Sequence, residues 1–445
     1  MAVQLETKDR GAGRWIAATK DVAPGTLLLT SMPFATVLSP SLWTERCQAC
    51  FEPGSLARCA RCKLVYYCSK GCQLSDWRLQ HKLECPRLER LVVTANAYSV
   101  VADALLIART LRLVSASPAP NEPRNLDARS THPYDLVWSE ADRAAVHATA
   151  AIVDQTDLLP SSTTTLRLKP LTGAMLGMGY TVSDIEEMLC RFHTNNFTIT
   201  DEILLDIGSG CYPWGAMVNH SCDANCTVTF APKSHELQMR ALRPIAAGEE
   251  VTHAYMDVAI PATKRRRELQ AQYHFGCTCA RCTSPTSFDV VSDAGKDGGP
   301  IATGASPDLA RATQLVAAAV PMAPQEAIVC LREALVLRTA HLHALNVDVL
   351  EVHSHLLTQY LAARDFENAR DTAQAMWTFY EAMYPTTHAM AGLHLYTLGD
   401  LEAQWPEHVG TSRTHLQEAR RILTITHGVD HPLVHGLQSA LATMP

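Results

Sequence analysis

Three stretches decide how this 445-residue chain is read: Asn219-His220-Ser221-Cys222-Asp223-Ala224-Asn225, then Gly248-Glu249-Glu250-Val251-Thr252-His253-Ala254-Tyr255, then Tyr273-His274-Phe275-Gly276-Cys277-Thr278-Cys279-Ala280-Arg281-Cys282. Around them, Cys226 to Phe230, Leu237 to Leu242 and Glu250 to Thr252 read as strands. Cys277, Cys279 and Cys282 supply three thiolates at metal-binding spacing, one short of a closed tetrahedral zinc site.

A second cysteine cluster lies nearer the N-terminus. It reads Cys47-x2-Cys50, Cys59-x2-Cys62, Cys68-x3-Cys72 and His81-x3-Cys85, eight ligands, enough for two closed sites. So short a segment cannot build a hydrophobic core, so metal must hold it. Met1 to Arg10 alternates polar and charged residues and has no signal-peptide core, so the chain is expected in a reducing, intracellular setting. There, clustered cysteines bind metal rather than form disulfides.

Taken together, these motifs resemble the SET and MYND domain (SMYD) family of protein lysine methyltransferases. Tyr67-Cys68-x3-Cys72-Gln73-x3-Trp77-x3-His81-x3-Cys85, after its two Cys-x2-Cys pairs, resembles a MYND zinc finger. The Asn-His-Ser-Cys, Gly-Glu-Glu…Tyr and Cys-x-Cys-x2-Cys segments resemble the SET core and its post-SET tail. The resemblance implies interleaved ligands: Cys47, Cys50, Cys68 and Cys72 on one zinc, and Cys59, Cys62, His81 and Cys85 on the other. It also implies that Cys222 completes a third site with Cys277, Cys279 and Cys282. Cys190, Cys211, Cys226 and Cys330 are then left as small buried hydrophobes.

The same resemblance assigns the remaining site. S-adenosylmethionine would meet Arg10 and Ala12 in the turn Arg10-Gly11-Ala12-Gly13, together with Asn195, Asn219, His220, Tyr255 and Phe275. Phe197, Tyr255 and Tyr273 would line the substrate channel, with the Tyr255 hydroxyl near the transferring methyl. Gln73 and Trp77 map onto a groove for proline-rich peptides, though Trp77 equally suits packing of the finger. Methyl transfer to an amine is an in-line displacement, so orientation and desolvation matter more than a strong base. A lysine with a free pKa of about 10.4 must arrive neutral, and a water-poor aromatic channel disfavours its ammonium form. Three departures bear on affinity for cofactor. Ala224 stands where the motif usually has Pro, Ala12 stands where relatives often carry a polar contact, and Pro133 to Ser139 lacks the particular acidic residue that the resemblance leads one to expect near Val137.

The expected architecture is α+β over the whole chain. The N-terminal part of a split SET domain (1–46), with strands Arg14 to Thr19 and Thr26 to Val37, precedes the MYND finger (47–85) and a helical insert (86–191). The core SET domain (192–276) and post-SET segment (277–284) follow. A Gly-, Ser-, Pro- and Asp-rich linker (285–307) leads to an all-α, tetratricopeptide-like C-terminal domain (308–445). There, Tyr384-Pro-Thr-Thr-His388 and His427-Gly-Val-Asp-His431 recur 43 positions apart, which suggests helical-hairpin repeats. The run Lys264 to Arg267 reads as a helix surface, and His253 has no assigned role.

A net charge of −7 argues against nucleic-acid coating as the main task, although the finger is locally basic. No segment has the ~18 to 20 unbroken apolar residues of a membrane span. The resemblance implies protein substrates presenting lysine, histones among them, and a cytoplasmic and nuclear location. Chaperones or other proteins are expected partners of the C-terminal domain. The alternative is a catalytically weak zinc-binding adaptor or transcriptional co-regulator that recruits partners through finger and repeats.

Overall fold

The computed structural model describes residues 5–9, 14–116, 140–155 and 182–444. Arg10, Ala12 and the Pro133 to Ser139 stretch lie outside the described residues.

Twelve strands are present among them: β1 (Leu5–Asp9), β2 (Arg14–Ala18), β3 (Leu27–Ser31), β4 (Ala35–Leu38), β5 (Ala57–Arg58), β6 (Tyr66–Tyr67), β7 (Asn196–Thr200), β8 (Asp206–Cys211), β9 (Asn219–His220), β10 (Cys226–Phe230), β11 (Leu237–Ala241) and β12 (Thr252–His253). β11 lies between β10 and β3, and β8 lies between β4 and β7, all antiparallel. N-terminal strands therefore complete sheets whose other members come after residue 195, which is the split SET arrangement. Period-two burial on β11 puts Leu237, Met239 and Ala241 inside.

The strand expected from Thr26 to Val37 is two strands, interrupted at Met32-Pro33. Proline has no N–H for a ladder, so the chain changes sheets there. β7 and β8 were not expected from the sequence. The Gly-Ser-Gly of β8 has low strand propensity, but a Cβ on Gly208 would lie 2.3 Å from the Val37 carbonyl oxygen, and one on Gly210 2.7 Å from the Tyr212 ring. Close approach requires those glycines, and neighbouring strands impose the conformation.

The finger sits against the helix Tyr98–Ala116, whose Leu105, Leu106, Ile107 and Ala108 are completely buried. Arg109 of that helix reaches back to Glu84 with two hydrogen bonds of 2.9 and 2.7 Å, and Arg112 joins them. The helices Glu140–Gln155 and Val182–Asn195 pack on each other, and the latter runs directly into β7.

Within 285–307, where a linker was expected, part of the segment is folded, and a few of its residues are buried. Ser287–Val291 is a helical turn with a capping box between Thr286 and Asp289, and Phe288 is fully buried. Asp289 accepts from Arg265 at 2.8 Å and from Arg281 at 2.8 and 2.9 Å. Arg265 is therefore 0% exposed, which corrects its reading as helix surface. One helical turn is too short to show a period, and a partner for a lone arginine is not written in its neighbours.

Beyond this point the chain is all helix: Ser306–Ala319, Pro324–His341, Val347–Ala363, Phe366–Met383, Ala389–Glu402, Val409–His427 and Pro432–Thr443, each packed on its successor. The repeat seen in sequence has a physical basis. His388 and His431 are helix N-caps, their rings accepting from the backbone N–H two residues on, and Asn346 does the same one repeat earlier. No described helix is long and apolar enough to cross a membrane.

Candidate active site and metal centres

Three groups of ligand atoms converge, each with all members within 4.8 Å of one another: Cys47, Cys50, Cys68 and Cys72; Cys59, Cys62, His81 and Cys85; Cys222, Cys277, Cys279 and Cys282. These are the interleaved pairs and the third site implied by the resemblance. Sulfur–sulfur separations are 3.7 Å for Cys50–Cys68, 3.5 Å for Cys68–Cys72, 3.9 Å for Cys59–Cys85 and 3.6 Å for Cys222–Cys282. A tetrahedron with zinc–sulfur bonds of about 2.3 Å has an edge of about 3.8 Å. A disulfide would need about 2.05 Å. The donor sets therefore fit zinc and do not fit disulfides.

His81 is 1% exposed, and its Nε2 lies 3.3 Å from Cys59 Sγ and 3.6 Å from Cys62 Sγ. Burial lowers its pKa to about 4, so the ring is neutral, the form that ligates metal. Trp77 is half-buried, its ring 5.8 Å from that of His81 at 65°, so it packs the finger. Gln73 is also half-buried, and Leu74 and Leu79 are exposed nearby in sequence.

The two SET motifs cross. β9 and β12 pair in parallel, Asn219 opposite Thr252 and His220 opposite His253. Asn225, 1% exposed, pins the crossing by donating to the Glu250 carbonyl at 2.7 Å and accepting from Thr252 N–H at 2.8 Å. This double use explains why an asparagine ends the first motif. Asn219 Nδ2 donates to Glu250 Oε1 at 2.8 Å.

Tyr255 emerges from the crossing. Its backbone N–H donates to His220 Nδ1 at 3.0 Å, and its hydroxyl donates to the Val218 carbonyl at 3.0 Å. With Nδ1 accepting, His220 carries its proton on Nε2, which lies 3.2 Å from Cys222 Sγ. Both ring nitrogens thus serve the protein, one holding Tyr255 and one a sulfur of the third metal centre. The His220 ring is 5.2 Å from Tyr255 and 5.9 Å from Phe275, so these three rings cluster.

Beside Tyr255, a cavity of about 720 Å³ is lined by Asn195, Asn196, Phe197, His253, Tyr255 and Tyr273, among others, and also by Pro385, His388 and Met390 of the helical region. Tyr255 and Tyr273 rings are 4.9 Å apart, and Tyr273 donates to the Tyr255 carbonyl at 3.4 Å. Burial raises the pKa of both phenols, keeping them protonated. Asn195 is exposed at its helix end, its amide donating to the Arg191 carbonyl at 2.8 Å, whereas the side-chain oxygen of Asn196 is buried without a hydrogen-bond partner among the described residues. Among the described lining residues Asp206 and Asp257 carry charge, and no lysine or arginine does. The expected channel residues Phe197, Tyr255 and Tyr273 all meet here. His253 was missed as part of the site because one histidine in a short strand has no spacing signal.

A split β-fold whose two motifs pair side by side, carrying cysteine-built candidate metal centres and an aromatic cavity beside that pairing, defines a SET-type protein. The SET domain family model matches residues 13–256, and the chain belongs to that family. It is similar to histone-lysine N-methyltransferase ASHR1 of Arabidopsis thaliana, 26% identical across 96% of this chain and 92% of that protein. Histone-lysine N-methyltransferase Smyd1 of Mus musculus is 27% identical, covering 96% and 86%. N-lysine methyltransferase SMYD2 of Homo sapiens is also 27% identical, covering 97% and 96%.

Proposed function

We propose that this chain is an S-adenosylmethionine-dependent protein-lysine N-methyltransferase with three structural zinc ions. The observation that carries the reading is the cavity beside Tyr255. Its aromatic wall suits a lysine stem and its amine, and its two acidic side chains, with no lysine or arginine among the described lining residues, favour a basic substrate. Asn219, His220, Tyr255, Phe275 and Asn195 would hold the cofactor, with Arg10 and Ala12 contributing from the N-terminal turn. When bound, S-adenosylmethionine supplies an electrophilic methyl group.

The protein's own residues supply the rest. Phe197 and Tyr273 exclude water from the amine, which lowers the cost of presenting it neutral. The Tyr255 hydroxyl orients it, and the Cys222 centre fixes the tail that carries Phe275. Gln73 and Trp77 would contact proline-rich peptides at the finger, and the helical hairpins would dock partner proteins. Incubating zinc-loaded protein with S-adenosylmethionine and core histones, then with a proteome extract, should yield methyl-lysine by mass spectrometry. No methyl-lysine in either would contradict the reading.

A further inference from the structure

Two arginines share one buried carboxylate next to the Cys222 centre. Arg265 Nη1 and Arg281 Nε each lie 2.8 Å from an Asp289 oxygen, and the side chains of Arg265, Arg281 and Asp289 are 0%, 8% and 0% exposed. Two guanidinium groups against one carboxylate leave one positive charge in excess, and burial makes unbalanced charge costly. Bracing the turn Ser287–Val291 accounts for only one of the two cations. Arg281 alone grips Asp289 with hydrogen bonds of 2.8 and 2.9 Å. The second arginine calls for another explanation.

Its surroundings are those of the metal centre. Arg265 and Leu269 lie one turn apart on the helix Ala262–Tyr273, and Leu269 packs with Cys222 and Cys282. Arg281 falls between the ligands Cys279 and Cys282, and Arg266 donates to the Cys282 carbonyl. The Val258 and Ile260 carbonyls also accept from Arg265 Nη1, at 3.3 and 2.7 Å. Nε and Nη2 of the same guanidinium are buried with no hydrogen-bond partner among the described residues. Burial alone would lower the Arg265 pKa. The Asp289 carboxylate, and after it the Cys222 thiolate, outweigh burial and keep the group charged. Zinc held by four thiolates carries a double negative charge, which is the counter-charge this cluster lacks.

We propose that Arg265 is the charge partner of the Cys222 metal centre, its guanidinium offsetting the negative charge of the four thiolates and so strengthening their hold on zinc. Metal-binding sulfurs must be deprotonated, and a fixed cation beside them favours that form. Arg265 acts through the ligands, from outside the coordination sphere. Asp289 opposes it electrostatically while anchoring it. The proposal rests on zinc filling the Cys222 centre, and not on methyl transfer.

The test treats zinc-loaded full-length protein with a zinc chelator and iodoacetamide, and follows alkylation of each cysteine by peptide mass spectrometry. The finger cysteines serve as an internal reference. In Arg265→Met, alkylation of Cys222, Cys277, Cys279 and Cys282 should speed up on the order of tenfold, with the finger cysteines unchanged. Asp289→Asn removes a negative charge and leaves Arg265 on the Val258 and Ile260 carbonyls. It should protect the four cysteines at least as well as the wild type, although it unfolds more easily in denaturant. Wild-type protection in Arg265→Met, or faster alkylation in Asp289→Asn, overturns the proposal and leaves the cluster a structural brace. Should Arg265→Met not fold, Arg265→Lys decides, because lysine keeps the charge without the planar fork. Near-wild-type protection in it supports the charge role, and protection lost in step with stability overturns it. Two zinc ions per wild-type chain, instead of three, would remove the Cys222 centre itself and the zinc reading with it.

Discussion

At the scale of single residues, the proposed chemistry turns on Tyr255. Its hydroxyl donates to the Val218 carbonyl and its backbone is held by His220, so the phenol is placed before any ligand arrives. Tyr255→Phe removes one hydrogen bond and no packing, so the fold and S-adenosylmethionine binding should persist. Turnover should fall on the order of a hundredfold, in line with loss of one positioned donor. Steady-state methyl transfer beside a calorimetric titration checks this, and normal turnover would count against the assignment. Tyr255, Phe197 and Tyr273 could be found in the sequence because ordered motifs flank them. His253 and Arg265 could not, since their meaning depends on Phe197 and Asp289, which are distant in the chain. His220 was readable as a site residue, but its use, one nitrogen on Tyr255 N–H and one beside Cys222 Sγ, required coordinates.

At the scale of elements, the turn Ser287–Val291 ties the post-SET segment to the rest of the molecule. Burial alone would raise the Asp289 carboxyl. Hydrogen bonds and charge from Arg281 and Arg265 outweigh it and hold the pKa well below the usual carboxylate range. Asp289→Asn strands two buried guanidinium groups, and about 3–5 kcal/mol of stability should go with it. Because the folded pKa is depressed, the aspartate's contribution is complete above its unfolded value near 3.9 and fades as the pH falls below that. Chemical denaturation at neutral pH should show the full gap between wild type and variant, and the gap should narrow in acid. A neutral-pH difference under about 1 kcal/mol would place the pair's weight elsewhere. Composition marked this segment as linker because Gly, Ser, Pro and Asp dominate it, and its buried apolar side chains, Phe288, Ala294 and Ala305, are too sparse to show a pattern. Long amphipathic helices after residue 305 were readable for the opposite reason. Their hairpin repeat surfaced in the sequence because His388 and His431 do the same capping job.

At the scale of the molecule, metal does what length cannot. Two donor sets interleave through the finger, and a third joins Cys222 to a tail 55 or more residues on, ending at Cys282. Elemental analysis should therefore return three zinc ions per chain, and two would break the Cys222 centre. Strand pairing across the finger and helical insert was readable only in outline: β3 and β4 were visible as one strand, whereas β7 and β8, which complete the second sheet, were not, and the glycines of β8 are explained only by its neighbours. The central claim is that this crossing of motifs builds a working methyl-transfer site, and binding of the methyl donor tests it without knowledge of the substrate. Calorimetric titration of zinc-loaded protein with S-adenosylmethionine should give saturable one-to-one binding, whereas no detectable heat at any temperature tried would contradict it.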